Sequence, residues 1–585
     1  MPESSLALTS ANDGQMNRSE IKNDDHERAA IEMQENFDLE KNSTKNLANG
    51  IDEQSVNLPF KNVFFIIIGL CISVFLCSLD QTVISTALPK LASEFNALSL
   101  ISWVGTAYQI TLTLFQPLYG RLSDIFGRRL MFIFAKLIFM SASAVCGTTN
   151  SIAVMIAFRA VQGIGGGGVI SLALIIIAGN LPIFWLFFLN LWPKVLYTDV
   201  IPPRDRVKYQ SLIAAAWAVA SVAGPFLGGV IADKATWRWI FYVNLLIGAL
   251  ALSMVVSVLH LPPVKGDFKS KIKRIDFIGS FTLSVAVILL LLAFSLGGNN
   301  LAWSSPTIIV QLVVGFAAIL VFLPVEAKLA VDPIIPLRLF RIRNFSIATF
   351  VSLIYGMGFL LYLFYMPVYF QVVLSEDATT SGAQLIPSSV TLVAFSIIGG
   401  FFVSKTGRPR IFMWVGFVAM VVGAGMLSTL DQNSSRAEQI GYTIIPSFGL
   451  GLNIQNLLLI AQISVPAQDT AVSIGVTLFF RAIGMAIGIA LGGTIINNQL
   501  ASRSSSLPIP LVELKNNMGE IHRLAPELRT QVIFEYVAGI QWCFRTCIIL
   551  WGIGFLSLLL LEQPQLPKAH YDEPAVHISK IAVFH

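Results

Sequence analysis

Charge is what this sequence has least of. Of 585 residues only 12% are Asp, Glu, Lys or Arg, whereas 55% are hydrophobic and the mean hydropathy is +0.71. A soluble chain of this length would form about three or four domains with about twice that charge, so water is excluded as the main solvent. Histidine is scarce too: His26, His260, His522, His570, His577 and His585 include no pair at helical spacing, so no metal site is expected. The five cysteines (Cys71, Cys77, Cys146, Cys543, Cys547) lie in or beside apolar runs and read as small core residues, not a disulfide framework. No signal peptide is expected, because the first apolar run begins near Asn62 behind a polar stretch rich in Asn and Ser. The little charge present is uneven. Residues 1–60 hold 12 acidic against 5 basic residues, which leaves 22 and 34 for the remainder; the start reads as a disordered acidic cytosolic tail. No constellation suggests an enzyme, a cofactor or a nucleic-acid partner.

What the chain has in abundance is membrane-length apolar sequence. Crossing about 30 Å of hydrocarbon takes about 20 mostly apolar residues. Such runs recur near 63–88, 101–120, 130–148, 152–177, 209–232, 239–260, 276–296, 306–327, 345–370, 382–403, 410–430, 440–462, 471–496 and 543–561, fourteen in all. Lys and Arg in short loops prefer the cytosolic side. Loops after even-numbered spans carry nineteen, among them Arg121, Arg128, Lys208, Lys271, Arg274, Arg338 and Arg410; short loops after odd-numbered spans carry only Lys90, Lys234, Arg238 and Arg436. Both termini are therefore expected in the cytosol, with 563–585 a second tail and 502–541 an external segment holding a short amphipathic helix. The sequon at Asn433, in the loop after span eleven, would then be open to glycosylation, while those at Asn17 and Asn42 would stay bare. One stretch does not fit. Ala178 to Tyr197 prolongs the fourth run beyond one span, yet a fifteenth crossing would invert every later basic loop, so the segment is re-entrant, interfacial or foreign to the mature protein.

Ionisable residues at membrane depth are functional candidates by default, because a charge there is costly or faces a cavity. Asp80 interrupts an uncharged run, Arg159 lies in span four, Arg481 in span thirteen and Lys136 one to two turns inside span three. Asp80, the only carboxylate deep in a span, is the natural proton carrier; a helix-packing hydrogen bond is the rival reading. Lys136 reads first as a side chain that snorkels to the headgroups, and Arg481 equally as a pin on backbone carbonyls or a cavity-lining group. Further polar candidates for a substrate cavity are Gln109 and Gln116, Tyr355, Tyr362 and Tyr365, and Asn453, Gln455 and Asn456, each of which also suits a helix–helix hydrogen bond. Gly163, Gly165 and Gly168 match G-x-G-x-x-G formally, but no strand precedes them and no acid follows about 20 residues on, so small residues for close helix packing are the better account.

The most specific local pattern is GRLSDIFGRR, Gly120 to Arg129, between spans two and three; on composition alone it is a charged turn. With LDQTVISTALP from Leu79, RAVQGIGGGG from Arg159, GPFLGG from Gly224, WRWIFYVN from Trp237, LAWSSP from Leu301 and DPIIPLRLF from Asp332, it resembles the major facilitator superfamily, in particular its fourteen-span drug:proton antiporter branch and mainly fungal members. The likeness covers residues 60 to 562. It implies an all-α polytopic membrane protein of the major facilitator fold: a six-helix bundle over 61–262, two extra central helices over 263–343, and a second six-helix bundle over 344–562. It also implies alternating access about a site near the midplane, proton coupling through Asp80, Arg159 and Gln162, and a gate of Gly120, Asp124, Gly127, Arg128 and Arg129. Gly224, Pro225, Gly228 and Gly229 would form a hinge in span five, although Ser211 and Ala220 stand where the full pattern has glycine.

Export of small amphipathic drugs or toxins in exchange for protons is the implied activity. A vacuolar proton antiporter for basic amino acids is the alternative, and a non-transporting nutrient sensor the rival from another class. A monomer in the plasma or vacuolar membrane, with a small molecule and protons as partners, is expected. In similar sequences span four passes almost directly to the segment that begins here at Thr198. The twenty residues from Ala178 to Tyr197 would take sixty nucleotides, a frame-preserving length, which suggests a retained intron. A full-length, translated message containing those codons would sink that idea.

Overall fold

The computed structural model describes residues 60–95, 100, 102–179, 203–234, 236–259, 267–298, 301–376, 378–501 and 526–563. Both tails except Phe60 and Gln563, most of the unusual stretch after span four, and 502–525 lie outside them. Fourteen helices of 19 residues or more make up almost all of the rest. They are α1 (Phe60–Phe95), α2 (Ser102–Phe126), α3 (Arg128–Thr148), α4 (Ile152–Gly179), α5 (Pro203–Lys234), α6 (Arg238–Val258), α7 (Phe277–Leu296), α8 (Pro306–Lys328), α9 (Arg343–Val368), α10 (Ile386–Thr406), α11 (Pro409–Leu427), α12 (Arg436–Ile463), α13 (Thr470–Ala501) and α14 (Pro526–Leu559). Twelve are long and apolar enough to cross a membrane on composition alone; α2 and α5 are not among them. These two carry polar residues such as Gln109, Gln116, Gln210 and Ser211 because they pack between other helices and not against lipid.

Local chemistry marks the helix ends. Gly127 takes φ 96° between α2 and α3, a conformation that favours glycine. Helix α10 stops at Gly407 in the left-handed region (φ 68°), and Pro409 opens α11, the usual pairing of a terminal glycine and an initial proline. Ser435 and Glu438 form a reciprocal capping box at the start of α12.

One apolar core lies among α1 to α6, with Leu70, Val74, Phe132, Phe139 and Leu172 fully or almost fully buried. A second fills α9 to α14 and reaches into the first half through Ile110 and Leu114 of α2 and Ala214 and Ala218 of α5. Helices α7 and α8 pair with each other, and their turn is tied to α13: Trp303 donates to Thr494 Oγ1 at 3.0 Å and Asn497 donates to the Gly298 carbonyl. Large apolar side chains on the outside, such as Leu246, Phe281, Val313 and Leu320, form the lipid-facing surface.

One boundary differs from the sequence reading. The last span, expected from 543, begins within a single 34-residue helix that starts at Pro526, so the helix expected within 502–541 is continuous with the span as α14. That helix would extend about 50 Å, longer than the hydrocarbon layer is thick, and its first turns therefore project beyond it.

Candidate functional site

The described loops that carry the gate motif and the other basic clusters share one end of the helices, hereafter the basic end. Helix α1 runs away from it. Asp80 lies twenty residues from Phe60, and α4 and α6 return from the opposite end to meet it within about 10 Å of their own starts. There Arg159 Nη1 donates to Asp80 Oδ2 at 2.5 Å, with both side chains fully buried. Asp80 Oδ1 accepts from Gln162 Nε2 at 3.0 Å and from Asn244 Nδ2 at 2.7 Å. Arg159 donates further to Gln162 Oε1 (2.9 Å) and, through Nε, to the Val104 carbonyl (3.0 Å). Its guanidinium lies 4.3 Å from the Tyr108 ring centroid, a cation–π contact. Asn244 is held in turn by Ser143 at 3.1 Å.

In a dry core neither charge is tolerable alone, and removing one partner of such a pair costs about 3–5 kcal/mol. Arg159 Nη2 has no hydrogen-bond partner among the described residues. The glycine run beside Arg159 is helical and tightly packed: a Cβ on Gly165 would fall 2.5 Å from the Phe139 amide nitrogen, and one on Gly167 2.5 Å from the Leu112 carbonyl. Small residues here let α4 lie against α2 and α3, and no dinucleotide loop exists.

The second feature is closure of the two bundles at the basic end. A Cβ on Gly120 would sit 2.9 Å from the Ala471 carbonyl oxygen of α13, one on Gly475 3.0 Å from the Gln116 carbonyl, and one on Gly400 2.3 Å from Ser211 Oγ. Val207, Val403 and Leu459 form a buried apolar cluster across the same seam, where Gln210 also donates to Gln462 at 3.3 Å. Around it lies a charged strap that the sequence reading missed. In the segment after α8, Asp332 accepts from Arg121 at 3.0 Å and from Arg274 at 2.6 Å, while Arg338 donates to Asp469, just before α13, at 2.8 Å. Its anchor is Glu326, a buried carboxylate at the end of α8 that accepts from the Ile335 amide.

The gate motif thus divides. Gly120 lies against Ala471 of α13, Gly127 makes the turn between α2 and α3, and Asp124 stands 4.0 Å from Arg121. Arg129 instead donates at 3.1 Å to the Val256 carbonyl of α6, inside its own bundle. Asp332 and Arg338 stood in a stretch already singled out, DPIIPLRLF, but nothing local shows that a linker carboxylate reaches back more than 200 residues.

Other candidates separate by what they bond. Tyr355 and Tyr362 donate from α9 to carbonyls of α12 (Leu450, 3.0 Å; Thr443, 3.2 Å), and Asn453 donates to the Gly449 carbonyl of its own helix at 2.9 Å. These buried groups hold helices in place. Arg481 pins the Ile454 carbonyl at 2.8 Å and lies over the Tyr355 ring at 5.5 Å. Gln455 is buried with no partner for its amide oxygen, and Gln109, partly exposed, accepts from Gln81. In α5 the helix runs unbroken through Gly224, Pro225, Gly228 and Gly229, and a Cβ on Gly224 would fall 1.9 Å from Thr82 Oγ1, so close packing already requires that glycine.

One reading is corrected. Lys136 does not reach the headgroups: it is 0% exposed, and its amine has no hydrogen-bond partner among the described residues. Burial in α3 leaves no path for snorkelling. A further buried carboxylate, Glu535 in the first turns of α14, accepts from Gln499 at 2.9 Å.

The model of the Major Facilitator Superfamily matches residues 70–184 and 194–489, a match that breaks inside the unusual stretch from Ala178 to Tyr197. Curated relatives include the MFS-type efflux pump LUC4 of Fusarium sp, 30% identical over 512 residues that span 85% of this chain and 87% of the relative. The efflux pump dotC of Dothistroma septosporum is 33% identical over 449 residues, 77% of this chain and 74% of the relative. Among solved structures, the human organic anion transporter MFSD10 (TETRAN) aligns with a TM-score of 0.52 at 16% identity, covering 84% of this chain and 99% of the other, a likeness of fold.

Proposed function

Because the chain belongs to the Major Facilitator Superfamily and is a multi-pass membrane transporter of that type, we propose that it exports small amphipathic organic compounds from the cytosol in exchange for protons. The observation that carries the reading is the sealed Asp80–Arg159 pair with its two amide partners. It is the only described ion pair with both side chains fully buried, and a membrane core tolerates such groups where they bind or move charge. The basic end faces the cytosol by the charge of its loops, and the bundles are closed there. Proton uptake by Asp80 releases Arg159 and lets α4 shift relative to α1; the seam at Gly120 and Gly400 then parts, and the carrier exposes its binding surface to the cytosol. The names of the efflux-pump relatives support drug or toxin export over amino-acid storage.

The test is accumulation of ethidium, a cationic dye, and of a neutral dye in sealed vesicles under an imposed proton gradient, beside labelled Lys and Arg. Dye accumulation that disappears in Asp80→Asn supports the reading. Uptake of Lys and Arg alone moves the assignment to vacuolar storage, and absence of any gradient-driven flux leaves a sensor.

A further inference from the structure

Lys136 is a cation-forming group sealed in the first bundle with no carboxylate or hydrogen-bond acceptor on its amine among the described residues. Its amine is fully buried and lacks a hydrogen-bond partner among the described residues; it lies 5.4 Å from the Phe139 ring centroid. A lone ammonium in an apolar core is strongly disfavoured, so a positive charge on this amine must be temporary or be met by a partner. Position gives this a use. Lys136 stands eight residues into α3 from the basic end, and its side chain slants further that way, as helical side chains do. Its Cε approaches Gly248 of α6, where a Cβ would be 3.5 Å away. Gly248 is one turn toward the basic end from Asn244, which binds Asp80. On α1, Cys77 is within electrostatic reach of both Lys136 and Asp80 and lies about one turn from the latter, also toward the basic end. The amine therefore lies on the line between Asp80 and the basic end.

The groups around it are few. Helix α1 offers Cys77 and Asp80, α4 offers Arg159, already paired, and α2 offers Tyr108 and Tyr119, the latter packed near Ala135 of α3. Helix α6 offers the neutral Asn244 here, its Arg238 being committed to Glu94 at the opposite end.

We propose that Lys136 is a second proton site, a relay station between Asp80 and the basic end. This rests on the proton-coupled reading above. Asp80 and the amine are not in hydrogen-bond contact, so water admitted as α4 shifts carries the proton: protonated Asp80 gives its proton to that water as the water gives one to the Lys136 amine, and Asp80 regains its carboxylate and Arg159 its counter-charge. When the basic end opens, the ammonium gives that proton to water and returns to the uncharged amine.

The experiment compares two modes in liposomes with ethidium as probe: accumulation driven by a proton gradient, and exchange of labelled for unlabelled dye with no gradient. Exchange needs the folded carrier but no net proton movement. Lys136→Met is expected to exchange near the wild-type rate while driven accumulation falls by about a hundredfold, the scale of a lost proton-transfer group. Lys136→His is expected to regain accumulation with its pH profile moved to acid, since imidazole titrates near 6.5; a packing role would not shift a pH profile. Lys136→Arg, permanently charged, should not restore coupling. Full coupling in Lys136→Met overturns the relay and leaves the proton-coupled reading standing. Loss of both modes in Lys136→Met with no recovery in Lys136→His also overturns it, in favour of packing. No gradient-driven flux of any probe in the wild type overturns the reading of the previous section and the relay with it.

Discussion

Gly120→Ala adds one methyl group where α2 meets α13, and the structure says what it strikes. The new Cβ would lie 2.9 Å from the Ala471 carbonyl oxygen, with Ala471 C and Val472 Cα at 3.4 Å. The obstacle is backbone, which has no rotamer to change, so ordinary contact distances require the two bundles to separate by about half an ångström. Overpacking of this kind costs about 1–3 kcal/mol. The strain exists only while the basic end is closed, so the same free energy favours the open state by about fivefold to a hundredfold at 1.4 kcal/mol per factor of ten. A reporter cysteine at Val403, buried in the cluster with Val207 and Leu459, reads that population through its rate of maleimide labelling, with peptide mass spectrometry separating it from the native cysteines. Gly105→Ala is the control: it lies in the same helix, gains the same helix propensity, and its Cβ meets nothing within 4 Å. Labelling should accelerate in Gly120→Ala and stay level in Gly105→Ala. Equal rates in the two variants would refute the close-contact account of the gate.

Asp332 serves Arg121 and Arg274 together, so Asp332→Asn should speed labelling at Val403→Cys by about five- to thirtyfold, equivalent to about 1–2 kcal/mol for weakened charge-assisted bonds; unchanged labelling would remove the strap from the gate. Arg481→Met should lower the unfolding temperature of the carrier in detergent, because the Ile454 carbonyl loses its buried donor, a loss of about 1–3 kcal/mol; an unaltered temperature would return Arg481 to the cavity-lining reading. At the opposite end, a hydrogen bond from Trp237 and then the Arg238 guanidinium hold the Glu94 carboxyl below its ordinary value of 4.5. Its contribution to stability is thus present above 4.5 and lost as pH falls through the lower folded-state value, and the melting difference between wild type and Glu94→Gln should shrink with acid. Asn433 is exposed in the loop before α12; a glycosidase-sensitive mass shift absent from Asn433→Gln would place that loop outside the cytosol, and lack of a shift in a glycosylating host would count against the orientation.

Much of this architecture is legible because a membrane imposes two simple demands, length and apolarity. Fourteen runs became fourteen helices, with the largest boundary difference at α14: Arg529 and Glu535 interrupt its apolar run and hid that the helix expected before the span is continuous with it. Short-range steric motifs were equally readable: Gly127 needs its positive φ whatever surrounds it, and the Gly163–Gly168 run is small because α2 and α3 press on it. Asp80 and Arg159 stood out as charges in apolar runs, the family resemblance added Gln162, and the three do meet.

Partners were the part that sequence could not supply. Asn244 looked like one more residue of an aromatic stretch, Asp332 like a linker acid and Lys136 like a snorkelling end residue. A one-dimensional pattern records what a side chain is and how deep it sits. It does not record which helix faces it, because facing is set by the rotation of each helix against neighbours far away in the chain. Composition and spacing alone therefore determined a polytopic helical membrane protein, the identity of its intramembrane charges and the end at which its basic loops gather. Only the packed structure decided that Asp80 is sealed by Arg159, Gln162 and Asn244, that the Lys136 amine has no hydrogen-bond partner among the described residues, and that a linker carboxylate straps the gate, since each depends on which helices tertiary packing brings together.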